Sequence, residues 1–121
     1  MADFQVQLVM IIDFHLKKEL SKLLKQKSID SNKEICGFLI KKDNIYDQFI
    51  ECNNVHPDPI NYFLISPKEC IFDDDVILFH SHPAHCDLIG FSEWDLKNQE
   101  YFYLKMLVYS VNNNEFYYKS I

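Results

Sequence analysis

One short segment, residues 79–95, contains side chains whose types and spacing are typical of a metal site. His80 and His82 are two residues apart at the end of a short apolar run that predicts a buried strand. Side chains two apart on a strand point to the same face, so both imidazoles can bind one ion. Ser92 lies where a helix should begin, and Asp95 would lie on the first turn of that helix, within reach of the histidines.

This ligand set indicates catalytic rather than structural zinc. Two imidazole nitrogens and one carboxylate oxygen leave a fourth tetrahedral position for water. Zinc lowers the pKa of such a water to about 7 and polarises a carbonyl. The pattern therefore predicts one Zn²⁺ per chain, held by His80, His82 and Asp95, in a hydrolase that still needs a general base. The H-x-H pair alone is weak evidence for a metal site. The proline, serine and acid that follow it in order make that evidence much stronger.

The strings His80-Ser81-His82-Pro83 and Ser92-Glu93-Trp94-Asp95 resemble the H-x-H-P…S-x-x-D signature of the JAMM zinc metallopeptidases. The resemblance spans roughly residues 14–119 and implies a peptidase or isopeptidase that hydrolyses an amide bond in a protein substrate. It also implies that the Ser92 hydroxyl stabilises the oxyanion that develops in the transition state.

The same family uses a glutamate far upstream, at the edge of a strand, as its general base. Glu34 matches that context because it directly precedes an apolar, glycine-containing run, Ile35 to Ile40. By this resemblance, Glu34 takes a proton from the zinc-bound water and passes it to the leaving amine. Without this resemblance, an acidic residue beside a strand would be interpreted as an exposed surface residue with no catalytic role.

The loop of residues 83–91 departs from the family pattern. Nine residues separate His82 from Ser92, where the family pattern has about seven, and Phe91 replaces the usual proline. Cys86 in this loop can be interpreted in two ways: as a small apolar residue or as a metal ligand that competes with the others. His56, in an upstream loop, is the best candidate for a further group near the cleft, although a loop histidine before a proline usually has no such role.

Other functions fit parts of the pattern. A non-catalytic scaffold of the same family is the alternative, and the presence of all three ligands and the base makes it the weaker one. A zinc deaminase would need H-x-E and P-C-x-x-C, and neither is present. Within the family, small prokaryotic and phage members are most similar to the chain. The expected substrate is therefore a phage tail-assembly protein or a ubiquitin-like protein.

The elements that must position these residues can be predicted from hydrophobic periodicity and turn residues. Residues 1–12 predict an edge strand, and a helix follows from a cap at Asp13 to about Lys27. The remaining predicted elements are strands at 35–41, 45–52, 62–65, 75–79, 104–110 and 115–119, a short helix from Ser66 and a helix over 92–103. This order predicts one α/β domain over residues 1–121, with a mixed, mainly antiparallel sheet flanked by helices. The resemblance implies a JAMM/cytidine-deaminase-like sandwich.

Composition narrows the function classes. The chain has 121 residues, 48% hydrophobic residues and a net charge of −6, which favours one packed domain and argues against nucleic-acid binding. No signal segment and no run of eighteen apolar residues is present, so we expect no membrane partner and a cytoplasmic protein of a bacterium or a phage-infected cell. The four cysteines form no C-x-x-C pair and predict reduced thiols. The sequence leaves the oligomeric state open.

Overall fold

The computed structural model describes residues 15–73 and 75–121. The predicted N-terminal edge strand and the proposed cap at Asp13 lie outside the described residues. Within these two ranges there are two helices, six strands of one sheet and a single 3-10 turn at Pro67–Glu69. The strands are β1 His15–Leu16, β2 Cys36–Lys42, β3 Ile45–Cys52, β4 Ile77–His82, β5 Lys105–Ser110 and β6 Glu115–Lys119, and the helices are α1 Lys18–Ile29 and α2 Glu93–Phe102.

The sheet is mixed, and its strand order is β1-β3-β2-β4-β5-β6. The β2–β3, β2–β4 and β5–β6 pairs are antiparallel, whereas β1–β3 and β4–β5 are parallel. The predicted α/β class is therefore confirmed. Because β4 and β5 are parallel, a crossover must join them, and that crossover contains loop 83–91 and α2.

Each face of the sheet has its own hydrophobic core, and the residues of β4 and β5 alternate between the two. On β4, Ile77 and Phe79 pack in the core that also contains Leu20 and Leu24 of α1, while Leu78 packs in the core that contains Phe102 of α2. This period of two is the expected consequence of burying both faces of a sheet. It places the even-numbered positions of β4 on the side of α2.

The first helix begins later than the sequence indicates. Residues 15–16 form β1 and pair with the start of β3, and the Lys17 amide donates to the Tyr46 carbonyl at 2.9 Å. The helix begins at Lys18, so Leu16 is a buried strand residue instead of a helical one. A tertiary pairing between segments thirty residues apart thus overrides the local helical pattern.

Two further elements were wrongly predicted between β3 and β4. Residues 62–65 form no strand with any described part of the chain, and an isolated β-bridge joins Ile65 to Asn54. The helix predicted from Ser66 is the single 3-10 turn, and the Ser66 side chain makes no capping hydrogen bond. The bounds of β3 and β6 match their predictions, those of β2 and β5 differ by one residue, and β4 begins two residues later and ends three residues later than predicted. No helix in the described ranges is long and apolar enough to cross a membrane.

Candidate metal centre

The two histidines of the H-x-H pair lie at the end of β4 and point to the side of α2. Both are even-numbered positions on the strand, as is Leu78, which packs in the core on the α2 side. His80 is fully buried and His82 is 2% exposed. Their ring centroids are 5.1 Å apart. The structure thus places both imidazoles on one face of one strand, as the spacing predicts.

Glu34 reaches the histidines through the register of β2 and β4. Cys36 pairs with His80 in the antiparallel ladder. Glu34 is two residues before Cys36 and His82 is two residues after His80, so the same register brings Glu34 opposite His82. Hydrogen bonds between Ile35 and Ser81 continue this pairing beyond the assigned strand. An acid 46 positions before the first histidine (80 − 34) is therefore brought beside the pair by ordinary strand pairing.

Asp95 is held by the first turn of α2. Ser92 is the N-cap residue: its hydroxyl accepts a hydrogen bond from the Asp95 amide at 3.0 Å, and the Ser92 amide donates to Oδ2 of Asp95 at 2.8 Å. This reciprocal pair is a capping box with aspartate in the third position. The predicted cap at Ser92 is confirmed, and it fixes the carboxylate that faces the histidines.

The four side chains meet in one buried cluster. Nε2 of His80 lies 2.9 Å from Oδ1 of Asp95, and Nε2 of His82 lies 3.0 Å from Oδ2. One ligand atom from each of these residues and one from Glu34 all lie within 4.8 Å of one another. Imidazole nitrogens and carboxylate oxygens at such separations can face one small cation. The cluster could therefore hold a metal ion.

Several polar atoms of this cluster are buried without a hydrogen-bond partner in the described part of the chain. They are Oε1 of Glu34, Nδ1 of His80 and Nδ1 of His82, whereas Nε2 of His80 has its contact with Asp95. Buried polar atoms are normally paired, because an unpaired one costs about 1–3 kcal/mol. A cation coordinated within the cluster would satisfy those atoms that face it. The residues present therefore fit a metal ion.

The acid–base states of the ligands favour cation binding. Burial lowers the pKa of His80, although the charge of Asp95 opposes the shift. Its imidazole is therefore neutral at neutral pH and can offer a lone pair. Burial alone would raise the pKa of the Asp95 carboxyl, but His80, His82 and the Ser92 amide outweigh it and hold that pKa well below its usual range. Asp95 therefore presents a carboxylate.

Glu34 differs from Asp95 in its charge state. Its side chain is 5% exposed, and burial, followed by the charges of Asp95 and Asp58, raises its pKa from 4.5 to about 9. Without a cation Glu34 is protonated at neutral pH. A nearby positive charge would favour the ionised form and lower this pKa. Two carboxyl groups in one site with pKa values pushed in opposite directions are typical of distinct chemical roles.

Two side chains outside the signature bind the peptide group that joins Glu34 to Ile35. The Asn54 side-chain amide donates to the Glu34 carbonyl at 2.9 Å and to the Tyr62 carbonyl at 2.9 Å, and its Oδ1 accepts from the Leu64 amide. At the other end of this peptide group, the Ser81 hydroxyl accepts a hydrogen bond from the Ile35 amide at 2.9 Å. Sequence reasoning missed Asn54. The signal was an asparagine just past a strand end, where its side chain can bind turn backbone.

Aromatic side chains pack around the cluster. Phe63 is fully buried and stacks on the His80 ring, with centroids 4.5 Å apart and planes inclined by 24°. The Phe63 carbonyl accepts a hydrogen bond from the Trp94 indole at 2.8 Å. His56 packs against Trp94 and Tyr62, at centroid distances of 5.3 and 4.9 Å. His56 thus reaches the start of α2 but is not part of the four-residue cluster.

The long loop between His82 and Ser92 lies beside the cluster and supplies no further ligand to it. Cys86 is half-buried and is not among the clustered residues. Its neighbour His85 contacts the opposite loop, with Nε2 3.2 Å from Oδ1 of Asn61. The interpretation of Cys86 as a rival ligand therefore finds no support in the geometry.

Comparison with known proteins finds no family model and no curated protein that matches the chain.

Proposed function

We propose that the chain is a zinc-dependent peptidase or isopeptidase of the JAMM type. The single observation that carries this proposal is the buried meeting of Glu34, His80, His82 and Asp95, with ligand atoms within 4.8 Å of one another. The order of these residues along the chain, and the α/β sheet that joins them, agree with the family that the motif resembles. The JAMM-like sandwich is part of the same proposal.

His80, His82 and Asp95 would hold the zinc. Two nitrogens and one oxygen are a common protein ligand set for a catalytic zinc, with one position left for water or substrate. Bound there, zinc supplies a Lewis acid that polarises the amide carbonyl and makes water acidic at neutral pH. The Ser92 cap orients Asp95, in the way that outer hydrogen bonds commonly orient metal-binding side chains.

Glu34 acts as the general base. As the oxygen of water forms its bond to the amide carbon, the proton that it loses passes to the Glu34 carboxylate. The same proton then goes to the amide nitrogen as the carbon–nitrogen bond breaks, so Glu34 ends the cycle ionised. Burial keeps the proton affinity of Glu34 high, which suits a group that must accept a proton and return it.

Ser92 has a second role in this proposal. Its hydroxyl oxygen already accepts a hydrogen bond from the Asp95 amide, and a hydroxyl retains one proton to donate. That proton stabilises the negative charge that develops on the carbonyl oxygen.

The substrate class follows from the resemblance and from the small size of the domain. A phage tail-assembly protein or a ubiquitin-like protein is the proposed substrate, cleaved in the cytoplasm of a bacterium or of a phage-infected cell. The alternative is a non-catalytic scaffold of the same fold. The unpaired Oε1 of Glu34 favours the enzyme, because a scaffold gains nothing from a buried acid without a partner.

The test is cleavage of purified tail-assembly and ubiquitin-like precursors, followed by intact mass. The zinc-loaded chain should produce two fragments whose masses sum to the precursor plus one water, and EDTA should abolish the reaction. Glu34→Gln should bind zinc with full stoichiometry and lose turnover. Cleavage that persists in EDTA or in Glu34→Gln would reject the mechanism. Stoichiometric zinc without cleavage of any precursor would favour the scaffold.

A further inference from the structure

The His80 ring is in contact with an aromatic side chain on its face. Phe63 stacks on it, with ring centroids 4.5 Å apart and planes inclined by 24°. Both side chains are fully buried. Aromatic rings at this separation attract each other beyond the simple burial of their surface. The stack therefore restricts the plane of the imidazole, because a tilt of the ring would break the contact.

The second ring nitrogen of His80 makes no hydrogen bond that could orient the ring in the same way. Nε2 lies 2.9 Å from Oδ1 of Asp95, whereas Nδ1 is buried and has no hydrogen-bond partner within residues 15–73 and 75–121. In most metal sites, the second nitrogen of a ligating histidine donates a hydrogen bond that fixes the ring. His82 also contacts His80, edge-on at 5.1 Å, but His82 is itself a ligand in the proposed site.

Phe63 is itself held by the helix that carries Asp95. Its carbonyl accepts a hydrogen bond from the Trp94 indole at 2.8 Å. Trp94 directly precedes Asp95 in the first turn of α2, so one turn of helix supplies both a carboxylate of the cluster and the donor that binds Phe63. The side chain of Asn54 binds the backbone on either side of Phe63. The ring is therefore fixed in place although its segment forms no strand.

We propose that Phe63 is a positioning residue of the metal centre: its ring holds the imidazole plane of His80 so that Nε2 faces the cluster, and the Trp94 indole holds Phe63. This inference rests on the proposed function, because it takes the cluster to be a metal site. An aliphatic side chain in place of Phe63 leaves the imidazole freer to rotate. Binding then has to restrict that rotation, which weakens the affinity for the metal. Residues that orient metal ligands commonly change metal affinity by about 10–100-fold.

The test compares leucine substitutions of two fully buried phenylalanines in the same core. Phe63→Leu removes the ring that stacks on His80. Phe38→Leu is the matched control, because Phe38 lies in the core on the α2 side and its ring packs edge-on against Phe102, at 6.0 Å, instead of against an imidazole. The two substitutions remove the same atoms from that core, so a general loss of packing affects both variants.

Each full-length variant is loaded with Zn²⁺ and, separately, with Co²⁺. Competition with a chelating dye gives the zinc affinity, and the visible absorption of bound Co²⁺ reports the geometry of its ligands. Phe63→Leu should weaken zinc binding by about tenfold or more and shift the cobalt bands. Phe38→Leu should keep the zinc affinity and the cobalt spectrum of the wild type. Amide NMR of the metal-free variants shows whether each is folded.

Trp94→Phe tests the residue that holds Phe63 and leaves the stacked ring in place. Trp94 is half-buried, and phenylalanine keeps an aromatic ring at this position but removes the donor to the Phe63 carbonyl. This variant should change the zinc affinity and the cobalt spectrum in the same direction as Phe63→Leu, and by a smaller factor.

An unchanged zinc affinity and cobalt spectrum in Phe63→Leu would overturn the inference, as would equal changes in Phe63→Leu and Phe38→Leu. Should Phe63→Leu fail to fold, a wild-type zinc affinity and cobalt spectrum in Trp94→Phe would overturn it. These results leave the proposed function standing as long as the wild type binds one zinc ion. A wild type that binds neither metal would reject the metal site itself, and this inference with it.

Discussion

The charge state of Glu34 leads to a measurable effect of pH on stability. In the metal-free fold its pKa is raised from 4.5 to about 9, first by burial and then by the charges of Asp95 and Asp58. In the unfolded chain Glu34 ionises near its ordinary pKa, so the folded state binds the Glu34 proton more tightly than the unfolded state does. The contribution of neutral Glu34 to stability is therefore fully present below about pH 4.5 and is lost as the pH rises toward 9. Replacement by glutamine removes this dependence, because an amide does not ionise.

The size of the effect follows from the same shift. Each pH unit between the two pKa values costs the wild type about 1.4 kcal/mol of unfolding free energy. From about pH 4.5 to pH 7 this amounts to at most about 3 kcal/mol. The difference in stability between Glu34→Gln and the wild type should therefore grow by up to that amount over this range. Saturating zinc should reduce the difference, because a nearby cation favours the ionised glutamate.

The assay is urea unfolding in EDTA at a series of pH values, followed by the fluorescence of Trp94. The control is Glu100→Gln, which changes an exposed glutamate on α2. Its stability should run parallel to that of the wild type across the range. Parallel curves of unfolding free energy against pH for Glu34→Gln and the wild type would contradict the raised pKa of Glu34, because Glu34 would then be neither buried nor held near Asp95.

Two further changes test the groups that position the site. Ser92→Ala removes the cap of α2, so it should lower the unfolding free energy by about 1 kcal/mol and weaken zinc binding by about tenfold or more, as measured by competition with a chelating dye. Ser92→Thr should retain the stability and the zinc affinity of the wild type. An unchanged zinc affinity in Ser92→Ala would contradict the role of the cap. Asn54→Ala leaves the Glu34 and Tyr62 carbonyls without their donor, so it should cost about 1–3 kcal/mol and leave the zinc stoichiometry at one. The neighbouring exposed Asn53→Ala is its control in denaturant unfolding, and equal midpoints for the two variants would contradict the contacts drawn for Asn54.

The sequence predicts the site better than it predicts the elements around it. His80 and His82 share a face because strand geometry has a period of two, and Ser92 caps a helix because its hydroxyl can bind a free amide of the first turn. Both properties are local, so both can be read from spacing. The meeting of Glu34 with the histidines depends on the pairing of β2 with β4, and only the resemblance to a known motif indicated it.

The errors arise where distant segments decide the local structure. Residues 15–16 continue the helical pattern of α1 but pair with β3, because burial of Leu16 in the sheet outweighs a weak helical preference. Residues 62–65 have the composition of a strand, yet their backbone is bound by the side chains of Asn54 and Trp94. Such contacts between a loop and a side chain leave no periodic pattern in the sequence.

We propose that His80, His82 and Asp95 bind one zinc ion with Glu34 beside it. Anomalous diffraction at the zinc edge, from a crystal of the zinc-loaded chain, tests it most directly. We expect one strong peak per chain, about 2.0–2.2 Å from a nitrogen of each histidine and an oxygen of Asp95, and no such peak in His82→Ala. A peak at Cys86 or elsewhere, or no peak in the cluster at saturating zinc, would contradict it.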